Sequence, residues 1–301
     1  MITRSVIGWD RSPESIAALE WALARARSGD ELVLVTVTDE ETWVPGKTIG
    51  SDQLADETRE LQTDAEKIHA RVPDVRVTAD VVVGDPLTAL RRYSGPDTVV
   101  VVGTGRHTHP RFRFGWSLGS RLAASALGPV AIIPAHTDGQ RAGVTVGVDG
   151  SDTSTRAVLV AAAEAERRGT SLRIIYAWQE PPIWQEAYVL DEEYLDELGR
   201  EYQETVDRAR RIAQRAFPHL TVTSLTVQGG IAQALLTTPP LPELVVVGCR
   251  SQTRVDRFLL GSASHEVVLN MDCPLLVVSD RVREIATDPD RALSRAELQY
   301  I

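Results

Sequence analysis

No apolar run in this chain reaches the roughly 18 residues needed to cross a bilayer, which excludes a helical membrane span. Cysteine is scarce: Cys249 and Cys273 are the only two in 301 residues, too few to staple a chain of this size and without four-ligand zinc spacing. Aromatic residues make up only 5% of the chain. Positive charge is in deficit, with 32 Lys and Arg against 42 Asp and Glu and a formal net charge of −10 at pH 7. A surface of that sign repels a phosphate backbone, which argues against a nucleic-acid-binding role. The opening segment MITRSVIGWD carries one Arg and then a strand pattern, so no secretory leader is expected and the expected location is the cytoplasm. What is present is 43% hydrophobic and 25% charged residues, an ordinary globular composition, at a length that predicts about two domains.

The chain also contains a repeat. SVIGWDRSPES (5–15) returns as TVGVDGSDTS (145–154), which sets Asp10 against Asp149 and Ser12 against Ser151 at an offset of 139. DTVVVVGTGR (97–106) returns as ELVVVGCRS (243–251), with Gly103 against Gly248 at an offset of 145. VVVGDPLTAL (81–90) and TVQGGIAQAL (226–235) share that second offset, as do Gly128-Pro129 and Cys273-Pro274. Two copies of one unit are therefore expected, at 1–138 and 139–280, followed by a tail at 281–301.

Each copy alternates strand and helix. In the first, strands are expected near 4–9, 31–37, 75–82, 98–102 and 130–133, and the last two are the continuous Val/Ile runs of parallel strands covered on both faces. The fold class is α/β: two tandem doubly wound domains, each a five-stranded parallel sheet with flanking helices. Ser12 before Pro13 reads as a helix N-cap and Gly29 as that helix's terminator, with Ser151 and Gly169 repeating the roles. Ligands on such sheets sit beyond the carboxyl ends of the strands at the switch point, which is where Asp10, Asp149, Gly103 and Gly248 fall.

The loop after the fourth strand of copy two carries the clearest chemical signal. It reads Gly248-Cys-Arg-Ser251, nine residues, then Gly261-Ser262 opening a helix. Glycines let backbone N–H groups approach an anion, and a helix N-terminus offers unpaired donors with a favourable dipole. Each such dipole contact contributes only ~0.3–1 kcal/mol, so several must converge to hold a polyphosphate. Arg250, Arg254 and Arg257 add positive charge to the same loop. Spacing alone leaves open a plainer reading, in which Gly248 ends a strand and Ser262 caps a helix.

VGVDGS (146–151), VVVGCRS (245–251), LLGSASHEVV (259–268) and DCPLLVV (272–278) together resemble the universal stress protein family, in its tandem actinobacterial form. The resemblance implies an adenine-nucleotide α-hydrolase-like, Rossmann-like fold. Its ATP-binding members carry G-x-x-G, nine residues, then G-[S/T]; copy two matches with Ser251 in place of the second glycine. The resemblance thus implies a nucleotide site with Gly248, Ser251, Gly261 and Ser262 around the phosphates, Gly147 and Asp149 near the nucleoside, and Ala177 contacting adenine through its backbone, and Arg250, Arg254 and Ala263 complete the expected set in this copy. ATP is the expected cofactor, with Mg as an optional companion. In this family the fifth strands pair across a dimer interface, so the resemblance further implies an intrachain pseudo-dimer; helical surfaces rich in Leu and Ala remain available, and self-association of the whole chain into a homodimer is expected from them.

The corresponding positions in copy one are Gly8, Asp10, Val37, Gly103, Arg106, Arg113 and Ser117. Here, at the same spacing from Gly103, Arg106 replaces the second glycine and Trp116 the third, so a weaker site is expected. Gly46-Lys47-Thr48 imitates the end of a P-loop, but Glu41 stands where its first glycine belongs. His107 and His109 lack further ligands for a metal, and no His completes a triad with Asp149 and Ser151. Neither motif loop offers a convincing acid–base group beside a γ-phosphate. The expectation is a nucleotide-binding stress-response regulator and not a fast enzyme. A slow ATP hydrolase or nucleotide-transfer enzyme, and a scaffold that binds no nucleotide, are the alternatives.

Overall fold

The computed structural model describes residues 2–38, 51–105, 117–179, 192–249 and 260–279. The first half runs β1 (Arg4–Gly8), α1 (Pro13–Arg25), β2 (Glu31–Thr38), α2 (Ser51–Arg71), β3 (Arg76–Val83), α3 (Pro86–Arg92), β4 (Thr98–Thr104), α4 (Leu118–Ser125) and β5 (Val130–Pro134). The second runs β6 (Val144–Gly147), α5 (Asp152–Arg168), β7 (Leu172–Trp178), α6 (Glu192–Ala216), β8 (Val222–Gln228), α7 (Ile231–Thr237), β9 (Leu244–Cys249), α8 (Ser262–Asn270) and β10 (Leu275–Ser279).

The strands join in one sheet of order β3-β2-β1-β4-β5-β10-β9-β6-β7-β8. Neighbours within each half are parallel, and the halves meet through the antiparallel pair β5–β10, with Ile132 opposite Leu275, Ala131 opposite Leu276 and Val130 opposite Val277. Helices α1, α2, α5 and α6 cover one face of the sheet, and α3, α4, α7 and α8 cover the other. Because both faces are covered, β4, β9 and β10 read as unbroken Val/Leu runs, and Val99, Val100, Val245, Val246 and Leu276 are fully buried. Each such side chain contributes roughly 1.5–3 kcal/mol relative to exposure.

Local signals account for several helix ends. Ser12 Oγ accepts from Ser15 N at 3.1 Å and Ser151 Oγ from Ser154 N at 3.2 Å, capping α1 and α5, and Pro13 fills the first turn of α1. Gly169 closes α5 in the left-handed region at φ 65°. The expectation for Gly29 is corrected. Helix α1 stops at Arg25 with extended Ala26 as its cap, while Gly29, at φ 86°, donates its N–H to Asp74 O at 3.0 Å in the turn before β2. The earlier stop has a cause: Asp30 accepts from Arg27 N at 2.9 Å and returns its own N–H to Arg27 O at 3.0 Å, closing a turn that competes with another helical residue.

Candidate functional site

Strand order reverses between β6 and β9 in the second half and between β1 and β4 in the first, and a cleft opens beyond the strand ends at each reversal. The second-half cleft, of about 440 Å³, is floored by Gly147 and Val247 and walled by Asp149, Thr153, Ile231 and Ala263. Gly147 admits α7 closely, since a Cβ there would stand 3.0 Å from Leu235 Cδ1. The Asp149 carboxylate organises the turn into α5: its Oδ1 accepts from Ser151 N at 3.0 Å and from Ser151 Oγ at 2.5 Å. Gly150 between them sits at φ 80°, where a side chain would be strained.

Opposite this turn stands the start of α8. Ser264 Oγ donates to Gly248 O at 2.7 Å and ties the helix to the end of β9. Gly261 is the N-cap residue and makes no side-chain cap hydrogen bond, so it does not itself satisfy the first-turn N–H groups, the donors that suit an anion. Its backbone (φ −56°, ψ 152°) suits any residue, and a Cβ there would meet nothing within 4 Å among the described residues. Among the described residues, neither conformation nor packing explains this glycine. Ser262 is the first helical residue and not the cap, contrary to the plainer reading of the motif. That reading does hold in part for Gly248, where a Cβ would come within 3.1 Å of Thr153 O and Cγ2.

Ala177 is half-buried on β7, paired with Val227 of β8. Its neighbours form a cluster that sequence reasoning missed. Tyr176 stacks on Tyr202 of α6 at 4.8 Å and 20°, and Trp178 lies 5.7 Å from the same ring. Burial raises the Tyr176 phenol above its ordinary value, and Tyr202, Glu201 and Asp149 add to the shift. Two aromatic residues ending a strand were visible in the sequence, but their partner on a distant helix was not.

The first-half cleft, of about 610 Å³, repeats the layout with Gly8, Asp10, Val37, Gly103 and Leu118. Asp10 Oδ1 accepts from Ser12 N at 3.0 Å and Ser12 Oγ at 2.5 Å. Burial pushes this carboxyl up, but the Ser12 hydroxyl and N–H outweigh it and hold the group below the usual carboxylate range. Three differences separate the copies. Where copy two has Gly150, Arg11 takes φ 62° and is held by Glu57 at 2.8 Å and Asp64 at 2.9 Å. Where copy two has Thr153, Glu14 brings a carboxylate to the cleft wall, and a Cβ at Gly105 would lie 2.7 Å from its Oε1. Gly103 is required by packing, since its Cβ would fall on the Glu14 carbonyl. The third difference is Ser117, which caps α4 by accepting from Ser120 N at 3.2 Å. Spacing from Gly103 and Gly248 put Trp116 opposite Gly261; the caps put Ser117 there, because α4 starts one residue later in its repeat than α8.

The universal stress protein family model matches residues 1–134 and again 143–279. The chain belongs to this family. Universal stress protein Rv2005c of Mycobacterium tuberculosis is 31% identical over 289 residues, spanning 90% of this chain and 95% of the relative. Universal stress protein Rv2623 of the same organism is 28% identical over 300 residues, with 91% and 96% covered. The crystal structure of a universal stress protein from Archaeoglobus fulgidus shares the fold at a TM-score of 0.67 and 19% identity, covering 93% of this chain and 99% of that one.

In this universal stress protein, Arg106, Arg113, Arg250, Ser251 and Arg254 lie outside the described residues, as do Trp116 and Gly46-Lys47-Thr48. The described expectations are brought together in two groups, Gly147, Asp149, Gly248, Gly261, Ser262 and Ala263 in one cleft region and Gly8, Asp10, Val37, Gly103 and Ser117 in the other. Both cysteines are buried and neither forms a disulfide; burial pushes the Cys273 thiol up to about 12. Among the described residues, no helix is long and apolar enough to cross a membrane.

Proposed function

We propose that this universal stress protein binds adenine nucleotide, with ATP in the second-half cleft, and works as a regulator through nucleotide-dependent conformation or assembly. The observation that carries the reading is the N-terminus of α8, whose N-cap residue makes no side-chain cap and is a glycine that packing among the described residues does not require. The residues fit the group: the cleft opens at the switch point beyond the strand ends, first-turn N–H groups suit phosphate, and Gly147 and Asp149 edge the nucleoside side. Mg²⁺ in such a site would be held mainly by phosphate oxygens and water. Regulation is favoured over turnover because the Asp149 carboxylate is already committed to the Ser151 turn, which leaves it poorly placed to act as a general base. The proposed pairing of whole chains is supported on the α4/α8 side by exposed Leu127 and Leu269.

Mass spectrometry of small molecules released on denaturing the purified protein should identify ATP or ADP, and calorimetry should give a micromolar-scale Kd, about −8 kcal/mol. Gly261→Asp would set a carboxylate against the phosphates and should abolish the second-half heat. No released nucleotide and no heat would favour the scaffold reading. Unchanged affinity in the variant would move the site elsewhere.

A further inference from the structure

At two points in this fold a residue meets its own counterpart from the other repeat. In the β5–β10 pair Ala131 stands opposite Leu276, at the offset of 145 that relates those segments, while Val130 and Ile132 cross over to Val277 and Leu275. On the face covered by α1 and α5, Arg25 meets Glu164 at the offset of 139 that relates those helices. A position touches its own equivalent only on a twofold axis, so both points mark one internal dyad. The same face of the sheet carries both, since Ala131 and Leu276 belong to the core beneath α1 and α5.

Both points hold unlike residues. The Arg25 and Glu164 side chains are 2% and 3% exposed, and the contact is two-pronged, with Nη2 to Oε1 at 2.5 Å and Nε to Oε2 at 3.2 Å. Arg25 Nη1 also donates to Ser5 Oγ at 2.9 Å. Nearby, Arg167 reaches across to Asp30 at 2.5 Å and to the carbonyls of Arg25 and Ile2, both at 3.0 Å. Arg168 lies 3.8 Å from Glu164 and 5.3 Å from the centre of the Trp21 ring. Burial pushes the Glu164 carboxyl up, but Arg25, then Arg168 and Arg167, hold it below its ordinary value, so it is charged at neutral pH. A buried ion pair adds little net stability over an apolar pair of similar volume, while an unmatched buried charge is strongly unfavourable. Its selective effect therefore exceeds its stabilising effect.

We infer that the dyad residues select the pairing of unlike repeats: the α1/β5 surface is built to accept a universal stress domain bearing a carboxylate and a bulky aliphatic residue at the dyad, and to reject a copy of itself. Two N-terminal repeats joined in the same way would bury Arg25 against Arg25 and leave a gap between two copies of Ala131. Two C-terminal repeats would bury Glu164 against Glu164 and crowd two copies of Leu276. Charge and volume thus oppose both like pairings. The covalent link raises the local concentration of the correct partner, and the dyad keeps the apolar β5 and β10 edges of one chain from recruiting those of another.

The test starts from the full chain. A protease site is placed in the exposed segment 136–140, and the folded protein is cut there, denatured, refolded and counted by native mass spectrometry as unlike and like pairs. The wild-type pieces should re-form the unlike pair, with like pairs at least tenfold below their statistical share. R25E should weaken the unlike pair on the order of a hundredfold or more, and R25E/E164R should bring it back to within tenfold of wild type. If R25E fails to fold, R25M/E164M decides: the unlike pair should persist while like pairs rise at least tenfold. A statistical mixture from wild-type pieces, an R25E pair as tight as wild type, or undiminished selectivity in R25M/E164M would each overturn the inference.

Discussion

Alanine at three cleft glycines should separate what packing requires from what a ligand requires. At Gly103 the new Cβ would fall on the carbonyl of Glu14, so the first turn of α1 must move. That turn is anchored through Ser12 and Asp10, and the cost should reach the upper end of ordinary overpacking, about 3 kcal/mol. At Gly248 the nearest atoms are Thr153 O and Cγ2 at 3.1 Å, a strain that a shift of a few tenths of an ångström relieves at about 1 kcal/mol. At Gly261 two small effects oppose each other. Alanine narrows the unfolded ensemble, worth ~0.4–1 kcal/mol, but is a poorer N-cap residue by a similar amount. Without ligand, Gly261→Ala should therefore stay within about 0.5 kcal/mol of wild type. Its methyl group would meet none of the described residues and would stand at the α8 start, where phosphate would have to approach, so ATP affinity should fall at least tenfold, about 1.4 kcal/mol. Urea denaturation without nucleotide, followed by calorimetric titration with ATP, reads both quantities on one set of proteins. A stable Gly103→Ala would refute the packing argument. A Gly261→Ala that is strongly destabilised, or that binds ATP like wild type, would refute the ligand argument.

Glu14→Gln removes the carboxylate from the first-half cleft, and in a Gly261→Asp background it should raise ATP affinity several-fold by calorimetry; no gain would show that Glu14 does not set the difference between the copies. Stability should also fall in acid through Glu164, whose pKa is lower in the folded state than in the unfolded chain. The contribution is complete above the unfolded value near 4.5 and disappears as pH falls through the lower folded value, so wild type should lose more stability than R25M/E164M between pH 7 and pH 3 in urea titrations; equal losses would contradict it.

The architecture was legible because its signals are local. The Val runs of β4 and β9, the Ser-capped starts of α1 and α5, the Gly169 stop and the two offsets are short patterns with one dominant physical reading. The residues that were missed depend on contacts between elements far apart in the chain. Glu14 and Arg25 look like ordinary charges on an amphipathic helix, and only the close seating of α1 against β4 and β5 brings one to a cleft and the other to the dyad. The repeat offset of 139 already related Arg25 to Glu164, but nothing in the sequence says that equivalent positions touch. Gly29 misled for the opposite reason: a left-handed glycine does follow α1, yet the Arg27–Asp30 turn ends the helix before reaching it.

Fusion also frees the two clefts from having to be alike. In a symmetric pair every change at a site occurs twice, whereas here each change appears once. The first half spends a left-handed Arg11, costing ~1–2 kcal/mol, to brace its turn against Glu57 and Asp64 of α2. It also caps α4 with Ser117 and turns Glu14 toward its cleft, so the protein itself meets the needs of that site. The second half has Gly150, Thr153 and Gly261 at the matching places and leaves the start of α8 without a side-chain cap. On the proposed reading, nucleotide supplies to the second half the contacts that the first half makes internally. Binding would then stiffen the turn from Asp149 into α5, the helix that carries Glu164 to the dyad. That places the responsive cleft one helix away from the residue that matches the halves, and an effect of nucleotide on assembly would travel along α5.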